Sequence, residues 1–169
     1  MQVYEAVKTV LAVRSYQSKP IPPEVTRRIV EAAHLTASSM NRQPWHFVVV
    51  EDLQTLKKLG ELATHGPYIA QAPLAITVVI EESRFSISDA SRAIQSMVLT
   101  AWEAGVGSNW VGFFGLEAVK PLLGIPDKLD VLAIVPFGYP VEELGKGFKK
   151  RKPLSEVASK EKFGQPFAK

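Results

Sequence analysis

At 169 residues the chain has the size of one domain, and such a length buries roughly 70% of the surface exposed when unfolded. Apolar residues make up 46% and charged residues 22%, a globular balance, and the lack of any cysteine excludes disulfide scaffolds, thiolate catalysis and iron–sulfur clusters. Net charge is +3, yet Gly145 to Lys169 alone carries +6, so a mildly acidic body precedes a basic arm. That asymmetry predicts a localised anion site. No aromatics interleave the lysines as single-strand nucleic-acid binding requires, and a solvated, solubilising tail is the plainer reading. The sequence contains no run approaching the ~20 apolar residues of a membrane span. MQVYEAVKTV does not have the layout of a secretory signal. These features predict a cytoplasmic protein with no membrane or nucleic-acid partner.

Val3, Ala6, Val7, Val10 and Leu11 fall on one helical stripe, predicting a first helix that stops near Val13 to Arg14. Pro22 and Pro23 open a second helix with the stripe Val25, Ile29, Ala32 and Ala33. Thr36 to Pro44 has no period and reads as a loop. HFVVVE, from His46 to Glu51, predicts a buried strand, and Asp52 predicts the cap of a helix carrying Leu53, Leu56, Leu59 and Leu62. Leu74 to Ile80 is apolar on both parities, as in a central strand covered on both faces.

Ser88 or Asp89 is expected to cap the longest helix, ending near Ala104 with Gly105 as a left-handed terminator. Its Ala90, Ala93, Ile94, Met97, Val98, Leu99, Ala101 and Trp102 cover most of the circumference, which predicts burial against a second copy of the chain. Val106 to Phe113 reads as a glycine-interrupted strand and turn, Leu116 to Leu123 as a short helix interrupted by Pro121, and Leu129 to Gly138 as the last strand. Helices and strands then alternate as layers of α and β structure in one domain, residues 1–169. Lys146 to Lys169 is expected to be an extended arm.

Several chemistries are absent from the sequence. The three histidines have no neighbouring carboxylates to form a metal site; His46 reads as packed in its strand, His34 as solvated and His65 as complementing a helix end. There is no G-x-S-x-G, and Gly105-Val106-Gly107 precedes a strand, the reverse of a dinucleotide fingerprint, so it reads as a helix terminator. Three polar segments have no packing role: Val13 to Gln17, Ala37 to Trp45 and Lys149 to Leu154. Capping, a turn and a solvated arm would account for each alone. Together, the early Arg/Ser and late Lys/Arg can converge on a phosphate.

In that order, R-S after the first helix, ASSMNRQPW, APLAITVV, an alanine-rich helix, GSNWVGF, LGIP, FGYP and KKRKPL resemble the nitroreductase family of FMN-dependent NAD(P)H oxidoreductases in its short form. The resemblance runs from the first helix to Leu154. It implies an α+β fold with a mixed central sheet flanked by helices, and an intimate homodimer with FMN at the interface. It also implies an electron donor, NADH or NADPH, and ping-pong hydride transfer through flavin N5 to nitroaromatic or quinone acceptors. Arg14 and Ser15, joined by Lys149 and Arg151, would meet the phosphate and ribityl end, Tyr16 would also contact the cofactor, and Gln17 would hydrogen-bond the flavin pyrimidine edge without neutralising the anion of the reduced ring. Ser38, Ser39 and Asn41 would contact the ring from the opposite protomer, Met40 lying against it. Gln43 and His65 would stand near the ribityl chain and ring edge. Val111 and Gly112 would offer backbone groups near N5, and Trp110, Phe113 and Phe114 would wall in flat acceptors.

Three positions depart from the family pattern, one of them Ala37, where the family's loop commonly has proline. Val13 and Gln17 stand where basic residues are common, so Lys149 and Arg151 are expected to carry more of the phosphate affinity, and the bound flavin to have a lower midpoint potential. No insertion for a lid is visible, which predicts a shallow, open site. Enone reduction or dehalogenation on the same scaffold, and a basic-tailed binding module, are the alternative readings.

Overall fold

Leu74–Ile80 (β2) buries all seven of its side chains, as expected of an unbroken apolar run held between two neighbours. The computed structural model describes residues 1–112, 114–142 and 149–167. On one side β2 pairs antiparallel with Trp45–Val50 (β1), on the other with Asp130–Gly138 (β5), with a bulge at Val78/Val79. The short strands Gly107–Ser108 (β3) and Val111–Gly112 (β4) both pair with β5, so the sheet reads β1-β2-β5-β3 with β4 also on β5.

Successive side chains of a strand point to opposite faces, and the core divides accordingly. Leu74, Ile76 and Val78 of β2 join Ala133, Val135 and Phe137 of β5 beneath the helices Pro23–His34 (α2) and Ser86–Glu103 (α4). Ala75 and Ile134 face the other way, onto Leu56 and Leu59 of helix Leu53–Leu62 (α3), Ile69, and Val119 of helix Val119–Leu123 (α5). This is an α+β architecture with helices on both faces of an antiparallel sheet.

The structure corrects several expectations. The sheet is not mixed: among the described residues every ladder is antiparallel, and the parallel contact is an isolated bridge between Ala12 and Ser108. The first helix (α1) covers only Val3–Thr9. Beyond it the chain runs extended along the sheet edge, where the Val13 amide donates to the Ser108 carbonyl at 2.9 Å. Of the predicted stripe, Ala6 is buried while Val3 and Val7 are exposed. β1 is half-buried because it is an edge strand, and His46 stands in solvent rather than packed. α4 begins at Ser86, before either predicted cap, and within one chain it is buried on one side only: Val98, Leu99 and Trp102 are half-covered and Ile87 is exposed. The arm is not simply extended, since Leu154–Val157 (α6) forms one helical turn; its start at Gly145 and Lys146 lies outside the described residues.

Other local signals are realised as read. Gly105 takes φ +75° after α4, a conformation that glycine adopts without a Cβ penalty. Asp52 caps α3 by accepting from the Thr55 amide and hydroxyl, both at 2.8 Å. The hydroxyl and amide of Thr55 hold the Asp52 carboxyl below its ordinary range. A carboxylate depressed in the folded state stabilises it above the unfolded pKa, and that contribution disappears as pH falls through the folded value. The melting-temperature gap between wild type and Asp52→Ala should therefore be widest at neutral pH and shrink below about pH 4, as thermal melts across pH 2–7 would register.

Candidate functional site

All three predicted polar segments present side chains at the surface, and the first is held there by backbone pairing with the sheet. In the first, residues 12–17 continue the sheet edge beside β3 and the end of β5. The Gln17 amide donates to the Tyr139 carbonyl at 2.8 Å, its side-chain Nε2 donates to the Pro140 carbonyl at 2.6 Å, and the Val141 amide donates to Ser15 at 3.3 Å. Along this segment Arg14 and Ser15 are both exposed, while Val13 and Tyr16, three residues apart and so not following strict strand alternation, both pack inward. Tyr16 is a core residue. Its hydroxyl donates to the Val13 carbonyl at 2.6 Å, and burial, then the nearby Tyr68, pushes the phenol far above its ordinary pKa. Only its backbone remains available to a ligand.

Lys149 and Arg151 meet the end of α1. Lys149 Nζ donates to the Val7 carbonyl at 2.6 Å, and the two cations line a cavity of about 580 Å³ with Tyr4, Val7, Lys8, Val10 and Gln95. Among the described residues three cations and no acid line it. Burial, then repulsion from Arg151, holds the Lys149 ammonium below its ordinary pKa, and among the described residues no carboxylate forms an ion pair with it. A second cavity of about 210 Å³ shares Val10 and Gln95 with the first and continues past Leu11, Val98, Ser108, Asn109 and Trp110. A basic pocket thus borders a largely apolar one with an aromatic wall. The Asn109 side chain, bonded to the Tyr68 hydroxyl, fixes one edge of the latter. Arg14 and Ser15 line neither cavity; they lie two and three residues beyond Ala12 on the same edge.

The loop between α2 and β1 contains a 3-10 turn, Ser39–Asn41, and three non-glycine residues at left-handed φ: Met40, Asn41 and Gln43 at 53°, 52° and 51°. Such angles are uncommon outside glycine. Ser38 Oγ accepts from the Gln43 amide at 2.9 Å, and Ser39 is held by a buried acid, Asp89, through its amide at 3.0 Å and hydroxyl at 2.9 Å. Met40, Asn41 and Gln43 remain exposed. Among the described residues no hydrogen bond or ion pair joins this loop to Arg14, Lys149 or Arg151.

Val111 and Gly112 pair with Ile134 and Ala133 of β5. A Cβ on Gly112 would overlap the Trp110 indole and come within 2.8 Å of the Leu132 carbonyl, so the backbone is closely covered there. Gly66 packs on Val111, which brings the exposed His65 alongside β4. Trp110 is half-buried and Phe114 exposed, while Phe113 lies outside the described residues.

Sequence reading missed Asp89 as a loop anchor, having taken it for a cap, and missed Gln95 and Asn109 as cavity walls. An acid at the start of an apolar helix, in a chain with a serine-rich loop, was the available signal for Asp89. Nothing in the sequence distinguishes Gln95 from an ordinary surface residue.

The model of the nitroreductase family matches this chain over residues 11–82 and 69–139. A Methanothermobacter thermautotrophicus protein named as an NADH dehydrogenase/NAD(P)H nitroreductase is 34% identical over 154 residues, spanning 86% of this chain and 81% of its own. A crystal structure from Parabacteroides distasonis bearing the same kind of name superposes with a TM-score of 0.87 at 25% identity, covering 96% of this chain and 99% of the other. A Clostridium difficile FMN-dependent nitroreductase superposes at 0.78 with 29% identity, over 90% and 93% of the two chains.

Proposed function

We propose, for a chain that belongs to the nitroreductase family, that it is an FMN-dependent NAD(P)H oxidoreductase acting as a homodimer on flat electrophilic acceptors such as nitroaromatics and quinones. The cavity lined by Lys8, Lys149 and Arg151, with no acid among the described residues, is the observation that carries this reading. Its donor set suits a phosphate dianion: guanidinium and ammonium groups both favour that charge, and Lys149 recovers a partner for its depressed ammonium. The adjoining cavity, with Leu11, Val98 and Trp110 for stacking and Ser108 and Asn109 for hydrogen bonds, suits a flat heteroaromatic ring.

Bound FMN supplies two-electron transfer between a nicotinamide donor and the acceptor. The chain's own residues hold and orient. Lys149 and Arg151 anchor the phosphate, with Arg14 and Ser15 close by on the sheet edge. Val111 and Gly112 offer backbone groups beside Trp110, with no bulky side chain of their own at that point. Trp110 and Phe114 provide flat apolar surface for the acceptor.

A second copy of the chain accounts for the surface left uncovered. Val3, Tyr4 and Val7 of α1, Leu154 and Val157 of α6, and Phe163 and Phe167 beyond it all stand in solvent in a lone chain. In the dimer the 38–43 loop of one protomer reaches the ring held by the other, consistent with its isolation from the basic pocket within one chain.

The test begins with colour. The purified protein should be yellow, or become so on titration with FMN, and should oxidise NADH or NADPH with a quinone or nitrofuran present in ping-pong kinetics. Colourless protein that takes up no FMN overturns the assignment. Light scattering at micromolar concentration should return twice the chain mass, and a monomer mass would end the dimer.

A further inference from the structure

Asp89 sits four residues into α4, fully buried, where a carboxylate needs partners to remain charged. It caps nothing in its own helix. Its partners are the Ser39 amide at 3.0 Å, the Ser39 hydroxyl at 2.9 Å and the Arg92 guanidinium, the last an exposed residue on the same helix. Burial resists its ionisation, yet the two Ser39 bonds and Arg92 outweigh that and keep the carboxyl below its ordinary pKa. Two of its bonds therefore reach out of the helix into the loop, and both land on one residue.

That residue immediately precedes the left-handed pair Met40 and Asn41, with Gln43 left-handed two positions further on. Each such conformation is unfavourable for a side-chain-bearing residue and persists only where its surroundings enforce it. Pro44 and β1 fix the loop after Gln43, and α2 fixes it before Thr36. Between them, Asp89 on Ser39 and Ser38 on the Gln43 amide are the tertiary and local clamps.

From this we infer that Asp89 is a positioning residue: it locks the 38–43 loop in the strained shape that turns Asn41 and Gln43 outward toward the cofactor. The inference rests on the proposed FMN site, but the order of the loop can be read without it. Arg42 is exposed within the loop, so trypsin cleavage after Arg42 in the FMN-free protein reports how often the loop opens.

Asp89→Asn and Ser39→Ala should each speed that cleavage about tenfold, the equivalent of one charge-assisted hydrogen bond. Each should weaken FMN binding by a similar factor in fluorescence titration. Ser39→Thr, which keeps the hydroxyl, should restore both values, and Arg92→Ala, which spares the Ser39 bonds, should move each less than threefold. Unchanged cleavage in Ser39→Ala, a half-buried position whose truncation leaves the core intact, would overturn the clamp while leaving the FMN assignment standing. Faster cleavage with unaltered FMN affinity would overturn the positioning role. Wild-type protein that binds no FMN would instead defeat the proposed function, with the protease result still reading the clamp.

Discussion

Lys149→Met/Arg151→Met protein is expected to bind FMN about a thousandfold more weakly than wild type. Each hydrogen bond from a cation to a phosphate is worth roughly 1.5–3 kcal/mol, about ten- to a hundredfold in affinity. The folded state of the ligand-free double variant should be at least as stable as wild type. Lys149 is depressed by burial and by Arg151, so the charged ammonium is disfavoured in the folded chain relative to the unfolded one; removing it relieves that penalty. A dianion reverses the sign by favouring the protonated lysine, so wild-type affinity should decline as pH rises toward the depressed Lys149 value, earlier than for an ordinary lysine. Fluorescence titration with FMN between pH 7 and 10, beside thermal melts of the ligand-free proteins, separates the two effects. Equal FMN affinity in the double variant would remove the basic pocket from the site. Loss of melting temperature in step with affinity would make Lys149 a structural residue.

The two cations were legible in the sequence because a charge cluster on an arm without periodicity has no packing role to obscure it. Continuous apolar runs were legible too: β2 and β5 lie where Leu74–Ile80 and Leu129–Gly138 placed them, to within one residue. The helix boundaries at Asp52 and Gly105 followed from backbone chemistry that is local. Edges were harder. β1 has the composition of a buried strand, yet nothing local says that a strand lies at a border with one neighbour. α1 carries a five-residue helical stripe that ends early because Val10 onward has a competing offer, backbone pairing with Ser108, nearly a hundred residues away.

The site shows the same divide between local and distant causes. Arg14, Ser15, Met40, Asn41 and Gln43 were expected to be accessible and are exposed. Tyr16 was grouped with them by adjacency, but its ring is buried in the core with its hydroxyl on the Val13 carbonyl. Asp89 looked like a cap because caps are common before apolar helices; its true partner lies 50 residues upstream. Val13 stood out as a missing positive charge. Its side chain packs inward, so a cation there would have no route to an anion beside Arg14.

Gly107→Val should be the most destabilising single change at the sheet edge, by about 3 kcal/mol, in the upper range for overpacking. Gly105 and Gly107 looked alike in the sequence, both serving a helix end. In the structure they serve different needs: a Cβ on Gly105 meets open space and only its φ demands glycine, whereas a Cβ on Gly107 would stand 2.8 Å from Val13 Cβ and overlap the Val13 methyls. Gly107 faces another glycine, Gly138, across the ladder to β5, so its close neighbour is the chain segment that carries Arg14. Pushing Val13 away lengthens the bond from its amide to Ser108 and moves Arg14 and Ser15 off the edge. The melting temperature should fall by roughly 6–12 °C, and FMN affinity should drop with it. Val13→Gly removes the overlapping atoms, so the double variant should regain about 1–2 kcal/mol of coupling energy despite the cost of the second change. Additive losses in that double-mutant cycle, measured by urea denaturation, would show that Gly107 is required for some reason other than this contact.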